Sequence, residues 1–315
     1  MILETNYMKI RKVLKYDEQL FVLPQSGDSI YIYDCYGNEL KKKINLKNTE
    51  ETFWDIAIFE EQIFVSMLSN KHVVRVDINS KDVELIEVDE SSISFINYDN
   101  KIYGIGSETG NVYLIDISEC RPIFNGKEYK DVSRKGKLKS VELKGKIVSL
   151  INGKPYIYIY DIKENKLSIE NITINVKDIF SDEVIYLLAE DGSIIMYDIE
   201  NNKRKIIFDM ENGAMMNPYS HIVVCGDVIF LTPLFENQLF ICDKNGNNAK
   251  KIVVDRYIKY RKPVYEVSLI DEELVILESD SMSGFAIDIK SNESKINERR
   301  FKCEINTLRN FIKEL

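Results

Sequence analysis

Histidine and tryptophan are almost missing from this 315-residue chain, which has two His, His72 and His221, and a single Trp, Trp54. No HxH, HExxH, GxSxG, Walker A or GxGxxG occurs, so zinc hydrolysis, serine esterase chemistry and nucleotide binding lose their usual signatures. The five cysteines are Cys35, Cys120, Cys225, Cys242 and Cys303, an odd number with no CxxC. They read as free thiols in a reducing compartment. No stretch approaches the ~18 apolar residues of a membrane-spanning helix. The first residues, MILETNYMKIRKVLKYDEQ, have neither an apolar core nor a small-residue cleavage site, so no signal peptide is expected there. The expectation is a cytoplasmic protein. Positive charge is also in deficit, with 42 Lys and Arg against 51 Asp and Glu, a net charge of −9 and a pI near 5.1. That balance argues against nucleic acid or an anionic membrane as a whole-surface partner.

What is abundant is β-forming side chains and one recurring phrase. Tyr (18) and Phe (14) supply most of the aromatics, which favour strands. The phrase is a short apolar strand, an Asp, then a polar turn rich in Asn and Lys. It reads SIYIYDCYGNELKKKI, HVVRVDINSKDVELIEV, NVYLIDISECRPIF, YIYIYDIKENKLSIE, SIIMYDIENNKRKII, QLFICDKNGNNAKKI and GFAIDIKSNESKI. The aspartates are Asp34, Asp77, Asp116, Asp161, Asp198, Asp243 and Asp288, spaced 37 to 45 residues apart. A period of ~40–45 residues is that of a four-stranded propeller blade. Each phrase is then the outer half of a blade: strand C, a turn and strand D. An inner half, strands A and B, precedes it, as in FWDIAIFEEQIFVSML and YEVSLIDEELVILES. Blades stacked radially bury both sheet faces and leave only short edges. The repeated Asp suits an Asx turn, accepting amides of the turn that follows, which is a structural role.

The expected fold is therefore all-β, a seven-bladed β-propeller of four-stranded antiparallel blades in one domain, 1–315. The blades run about 8–45, 52–88, 91–127, 138–172, 174–208, 218–255 and 263–298. The tail 299–315 places Ile305, Leu308, Ile312 and Leu315 on one face of a short C-terminal helix. At the repeated phrases the sequence resembles bacterial YVTN/PQQ-type and WD40-type propeller repeats, most closely in IFVSMLSNKHVVRVDINSKDVELI. No phrase carries the Trp–Asp or Gly–His marks of WD40 blades or the Gly–Gly of kelch. The resemblance implies architecture only and brings no functional residues with it.

Propellers bind mostly on the face built from D-to-A and B-to-C connections. The opposite face carries acidic A-to-B turns here, such as Asp17–Glu18 and Glu60–Glu61. Two D-to-A connections are basic. One carries Arg256, Tyr257, Lys259, Tyr260 and Arg261; the other runs from Lys127 to Lys139. Cations interleaved with aromatics suit anionic groups and stacked rings. The connection DMENGAMMNPYSH offers Met215, Met216 and Tyr219 as contact residues, and Trp54 starts an inner strand. These residues point to a non-enzymatic binding or scaffold module for a protein segment or an anionic small molecule, with no cofactor and no metal. The alternative is a channel-mouth lyase or hydrolase for a small anionic substrate, built on His221 with Glu266 and Asp55, all near strand A starts.

Overall fold

The computed structural model describes residues 10–34, 40–46, 51–116, 119–126, 138–209, 219–233, 238–253, 264–270, 273–278, 284–288 and 298–301. These residues form only β-strands and connections. The chain divides into two compact units. Unit 1 comprises Met1–Ser69, Val73–Leu85 and Lys262–Leu315; unit 2 comprises Asn70–His72 and Ile86–Arg261. The expected helix at 305–315 lies outside the described residues.

The first strands of unit 1 are β1 (Ile10–Tyr16), β2 (Gln19–Pro24), β3 (Ser26–Gly27), β4 (Ser29–Asp34) and β5 (Leu40–Asn45). They are followed by β6 (Glu51–Phe59), β7 (Gln62–Met67), β8 (His72–Asp77) and β9 (Val83–Glu87). One antiparallel sheet has the order β1-β2-β4-β5 and the next the order β3-β6-β7-β8-β9. Unit 2 begins with β10 (Ile93–Tyr98), β11 (Lys101–Gly106), β12 (Val112–Ile115) and β13 (Cys120–Phe124), a sheet in chain order. Next come β14 (Leu138–Leu143), β15 (Lys146–Ile151), β16 (Lys154–Asp161), β17 (Lys166–Ser181), β18 (Ile185–Ala189), β19 (Ile194–Asp198) and β20 (Lys203–Phe208). These seven strands make one sheet, because the 16-residue β17 ends one four-stranded set and starts the next. The expected boundary at 172/174 falls inside β17, at Thr173, whose φ of 71° bends the strand without breaking it. The last sheet of unit 2 is β21 (Tyr219–Cys225), β22 (Val228–Pro233), β23 (Gln238–Asp243) and β24 (Lys250–Val253). The chain returns to unit 1 for β25 (Val264–Ile270), β26 (Glu273–Glu278), β27 (Gly284–Asp288) and β28 (Glu298–Phe301). Within unit 1, the inner strand β25 lies beside β1.

Hairpin geometry sets the register. Glu60 and Glu61 (φ 46° and 62°), Asp99 and Asn100 (48° and 52°), and Lys144 and Gly145 (53° and 76°) are two-residue turns with both φ positive. Such type I′ turns match the right-handed twist of the strands they join. The outer turns rely on the repeated aspartate. Asp77 Oδ1 accepts the amides of Asn79 and Ser80 at 2.8 and 2.7 Å. Asp161 does the same for Lys163 and Glu164, Asp198 for Glu200 and Asn201, and Asp243 for Asn245 and Asn247. The aspartates that close these turns are structural, as Asx turns require.

The strands β2, β7, β11, β15 and β18 are buried on both faces, and adjacent residues of one strand feed different cores. In β18, Leu187 joins Val148, Ile157 and Ile179 on one side, while Tyr186 and Leu188 join Ile222, Leu231 and Phe240 on the other. In unit 1, Phe21, Ile30 and Ile32 pack against Ile56, Val65 and Val74 of the next sheet. This explains why Ile30–Tyr33 and Val112–Ile115 look alternating in sequence but are not half-exposed. Tyr31, Tyr33 and Tyr113 are buried among the apolar neighbours, at 5%, 4% and 1% exposure. A face covered on both sides is filled by near-continuous apolar residues.

Candidate binding face

The innermost strands carry a device that periodicity alone does not reveal. In five of them the pairing with the next strand slips by one residue near the start. The slips lie between Ile10 and Lys12 (β1), Phe53 and Asp55 (β6), Val176 and Asp178 (β17), Tyr219 and His221 (β21), and Val264 and Glu266 (β25). The extra residues are Arg11, Trp54, Lys177, Ser220 and Tyr265. A β-bulge of this kind bends the strand and re-aims the side chain it carries. Each bulge is followed by a polar residue: Lys12, Asp55, Asp178, His221 or Glu266. In β10 and β14 the register runs on without a slip. The bulges of β6, β21 and β25 lie where D-to-A connections enter the sheets, that of β1 lies at the same end of its sheet, and that of β17 lies inside the strand that runs from one four-stranded set into the next. The B-to-C loops turn at the same end, and β3, in one such loop, pairs with the start of β6 through Ser26 and Thr52.

In unit 1 the bulge residues stack. The Arg11 guanidinium lies 4.4 Å from the centre of the Trp54 ring, and Arg11 Nε donates to the Trp54 carbonyl at 2.7 Å. The residues after the bulges pair: Lys12 Nζ is 2.5 Å from Asp55 Oδ1. Asp55 is 9% exposed and also accepts its neighbour's amide, from Ile56, at 2.8 Å.

Unit 2 repeats the arrangement with a third partner. Asp178, 2% exposed, faces Lys139 Nζ of β14 at 2.6 Å and accepts the Ile222 amide of β21 at 2.8 Å. His221 Nδ1 lies 3.6 Å from Asp178 Oδ2. Burial by itself would raise the Asp178 carboxyl, but Lys139 and His221 overcome it and hold the group below the usual carboxylate range. One carboxylate thus ties three inner strands together. Beside it, Lys177 reaches the Tyr219 carbonyl at 3.4 Å, and burial pulls its ammonium below the ordinary lysine range. Thr232, opposite His221 across the β21–β22 pair, is fully buried, and its hydroxyl has no hydrogen-bond partner among the described residues.

The residues singled out from sequence fall into three groups. Trp54, Asp55 and His221 sit at the bulged strand starts. Asp55 is engaged with Lys12 in unit 1, while His221 has Asp178 as its carboxylate neighbour in unit 2. Glu266 follows the bulge of β25 in unit 1. Tyr219, read as part of an exposed loop, opens β21 instead and is 1% exposed, packed 5.8 Å from the Phe240 ring. Its place in the strand turns the ring into the sheet core. Arg256, Tyr257, Lys259, Tyr260, Arg261, Met215 and Met216 lie outside the described residues. Sequence reasoning passed over Arg11, Lys12, Lys177 and Asp178. The signal that points to them is a couplet with a polar second residue at the start of an apolar inner strand: Arg11–Lys12, Trp54–Asp55, Lys177–Asp178, Ser220–His221 and Tyr265–Glu266.

No protein-family profile and no curated protein matches the chain. Solved structures do match in fold. The computationally designed Ika8 protein aligns with a TM-score of 0.60 and 12% identity, over 89% of this chain and 96% of that one. The extracellular domain of the putative hybrid two component system BT4673 from B. thetaiotaomicron aligns with a TM-score of 0.65 and 10% identity, over 89% of this chain but 38% of that one. YCF48 bound to D1 peptide aligns with a TM-score of 0.68 and 11% identity, over 89% of this chain and 92% of that one. At such identities the likeness shows fold alone, and that fold is β-propeller-like and all-β.

Proposed function

We propose that this chain is a non-enzymatic, cytoplasmic binding module that docks a protein segment or an anionic ligand on the face of the D-to-A and B-to-C connections. Its fold in this reading is a seven-bladed propeller of YVTN- and WD40-like layout. The seven-stranded sheet counts as two blades sharing β17. The observation that carries the function is the repeated bulge. Within each unit, inner strands give up a ladder position at the strand end where the D-to-A and B-to-C connections meet, which closing a sheet does not require. The residues presented are cationic, aromatic or hydroxylic, the mix that recognises carboxylates, phosphates and extended peptides. YCF48, similar in fold, has been solved with a peptide bound, which supports the peptide form of the proposal.

The test is affinity capture from host lysate, comparing wild type with Trp54→Ala and Lys177→Glu, one variant in each unit. The proposal expects a ligand or partner retained by wild type and lost from at least one variant whose melting temperature is unchanged. Identical retention by all three proteins would sink it.

A second reading is favoured by one distance, the 3.6 Å between His221 Nδ1 and Asp178 Oδ2. An imidazole with a carboxylate close by is the pairing that general acid–base chemistry uses. A lyase or hydrolase for a small anionic substrate would use it. Turnover of some anionic ester or uronate by wild type, abolished by His221→Ala, would establish this reading; a screen with no turnover would remove it.

A further inference from the structure

Two adjacent carboxylates in unit 2 are held together with one hydrogen too few. Asp89 and Glu90 lie between β9 and β10, and Glu90 is 1% exposed. Glu90 Oε2 accepts the amides of Glu108 and Thr109 at 3.2 and 3.1 Å, both in the connection from β11 to β12. Its Oε1 faces the Thr109 hydroxyl at 2.6 Å and the Tyr113 hydroxyl at 2.9 Å. The Tyr113 hydroxyl also contacts Asp89 Oδ1. Asn111 Nδ2 lies 3.3 Å from the Tyr113 oxygen and 3.4 Å from Asp89 Oδ2. Gly106 makes room for the arrangement, since a Cβ there would stand 1.8 Å from Glu90 Oε1.

Every hydrogen bond needs one hydrogen. Three oxygen–oxygen contacts are present: Thr109 with Glu90, Tyr113 with Glu90, and Tyr113 with Asp89. The two hydroxyls supply two hydrogens. With both carboxyls ionised, one contact would set lone pair against lone pair. A proton on Glu90 completes the set. Glu90 then donates to the Tyr113 oxygen, Tyr113 donates to Asp89, and Thr109 donates to Glu90. The Thr109 oxygen is meanwhile used as an acceptor by the Asn111 amide at 3.1 Å.

The surroundings agree. Burial lifts the Glu90 carboxyl above the ordinary glutamate range, and the hydrogen bonds from Thr109, Tyr113 and the Glu108 amide pull it down without cancelling the effect. Among the described residues, no lysine or arginine is among the groups acting on it. Among the described residues, the other titratable groups facing the pair are Glu108, whose carboxylate accepts the Ser91 hydroxyl at 2.8 Å, Tyr113 from β12, and Cys120 from β13. Burial, then the Asp89 charge, pushes the Cys120 thiol up to about 12, so it stays a neutral neighbour.

We infer that Asp89, Glu90 and Tyr113 form a proton-held latch: protonated Glu90 clamps the 107–110 connection, and loss of that proton releases it. The latch goes beyond the binding proposal and stands whether or not a ligand docks on this face. Its sign is fixed. The folded state holds the proton more tightly than the unfolded chain does. The latch therefore contributes fully below the ordinary glutamate range and is lost as pH rises through the folded value.

The test is amide hydrogen exchange at Glu108 and Thr109 between about pH 4.5 and about pH 8, corrected for intrinsic rates, in wild type and Glu90→Gln. Glutamine offers an oxygen to the two amides and an N–H to Tyr113, with no proton to lose. Wild-type protection falls ~tenfold for each unit by which the folded value exceeds the unfolded one, and the variant stays level. Parallel pH profiles in the two proteins would overturn the latch. Should Glu90→Gln not fold, difference infrared spectroscopy of wild type decides. A protonated carboxylic acid band that disappears on alkalinisation supports the latch, and its absence across the same range contradicts it.

Discussion

At the residue scale, the repeated aspartate and the buried glutamate respond to pH in opposite directions. The Ser80 amide leads the interactions that hold Asp77 below the ordinary range. For Asp161 the leading contact is the Lys146 ammonium, and for Asp198 the Asn201 side chain. A depressed carboxylate adds stability above its unfolded pKa and loses it as pH falls through the folded value. Stability should therefore decline on the acid side from the turns, and on the neutral side from Glu90. Asp161→Ala removes two amide bonds and the Lys146 contact. It should cost about 1–2 kcal/mol by chemical denaturation at neutral pH, and less in acid. An unchanged midpoint at neutral pH would show that the turn closes without its aspartate. The role of these residues was readable from sequence because an Asx turn is local: acceptor and donors lie two to four residues apart. The Glu90 latch was not readable, because its partners Thr109 and Tyr113 meet it only after β10 and β11 have folded back.

At the element scale, the type I′ turn at Glu60–Glu61 is a local conflict. Two glutamates occupy left-handed backbone that Asn and Gly tolerate far better. Glu60 is exposed, so Glu60→Asn relieves strain without removing packing. It should raise stability by about 0.5–1 kcal/mol, seen as a higher melting temperature. A lower one would mean that Glu60 makes a contact worth more than the strain. The inner-strand stitch is the opposite case. Asp178→Ala strands the Ile222 amide and takes from Lys139 its buried carboxylate partner. It should cost about 3–5 kcal/mol, whereas His221→Ala should cost much less, since no hydrogen bond of Nδ1 is lost. Equal losses would make the histidine, not the lysine, the structural partner. The four-strand rhythm was legible because each hairpin carries its own turn signal. The bulges were not, since a slip is a property of two strands. Only the polar couplets at the inner-strand starts hint at them.

At the scale of the whole molecule, the all-β class followed from a period seen seven times, and the sheets and the structural likenesses agree with it. The proposed binding face was only partly legible. The basic connections advertise themselves by composition, but the cations and carboxylates on the inner strands are scattered singly through apolar runs. Lys139, Asp178 and His221 come from three strands of unit 2, and no spacing rule links them. Two buried inner-strand carboxylates are paired with lysines, Asp55 with Lys12 and Asp178 with Lys139.

The central claim is that the bulged strand starts exist to bind. The most direct measurement pans a random peptide library against the wild-type protein and titrates the enriched peptides against Trp54→Ala and Lys177→Glu, with melting temperatures as controls. The account predicts enriched peptides whose affinity falls about tenfold or more in a variant that melts like wild type. Peptides that bind both variants as tightly as wild type would place recognition elsewhere and leave the bulges without a function.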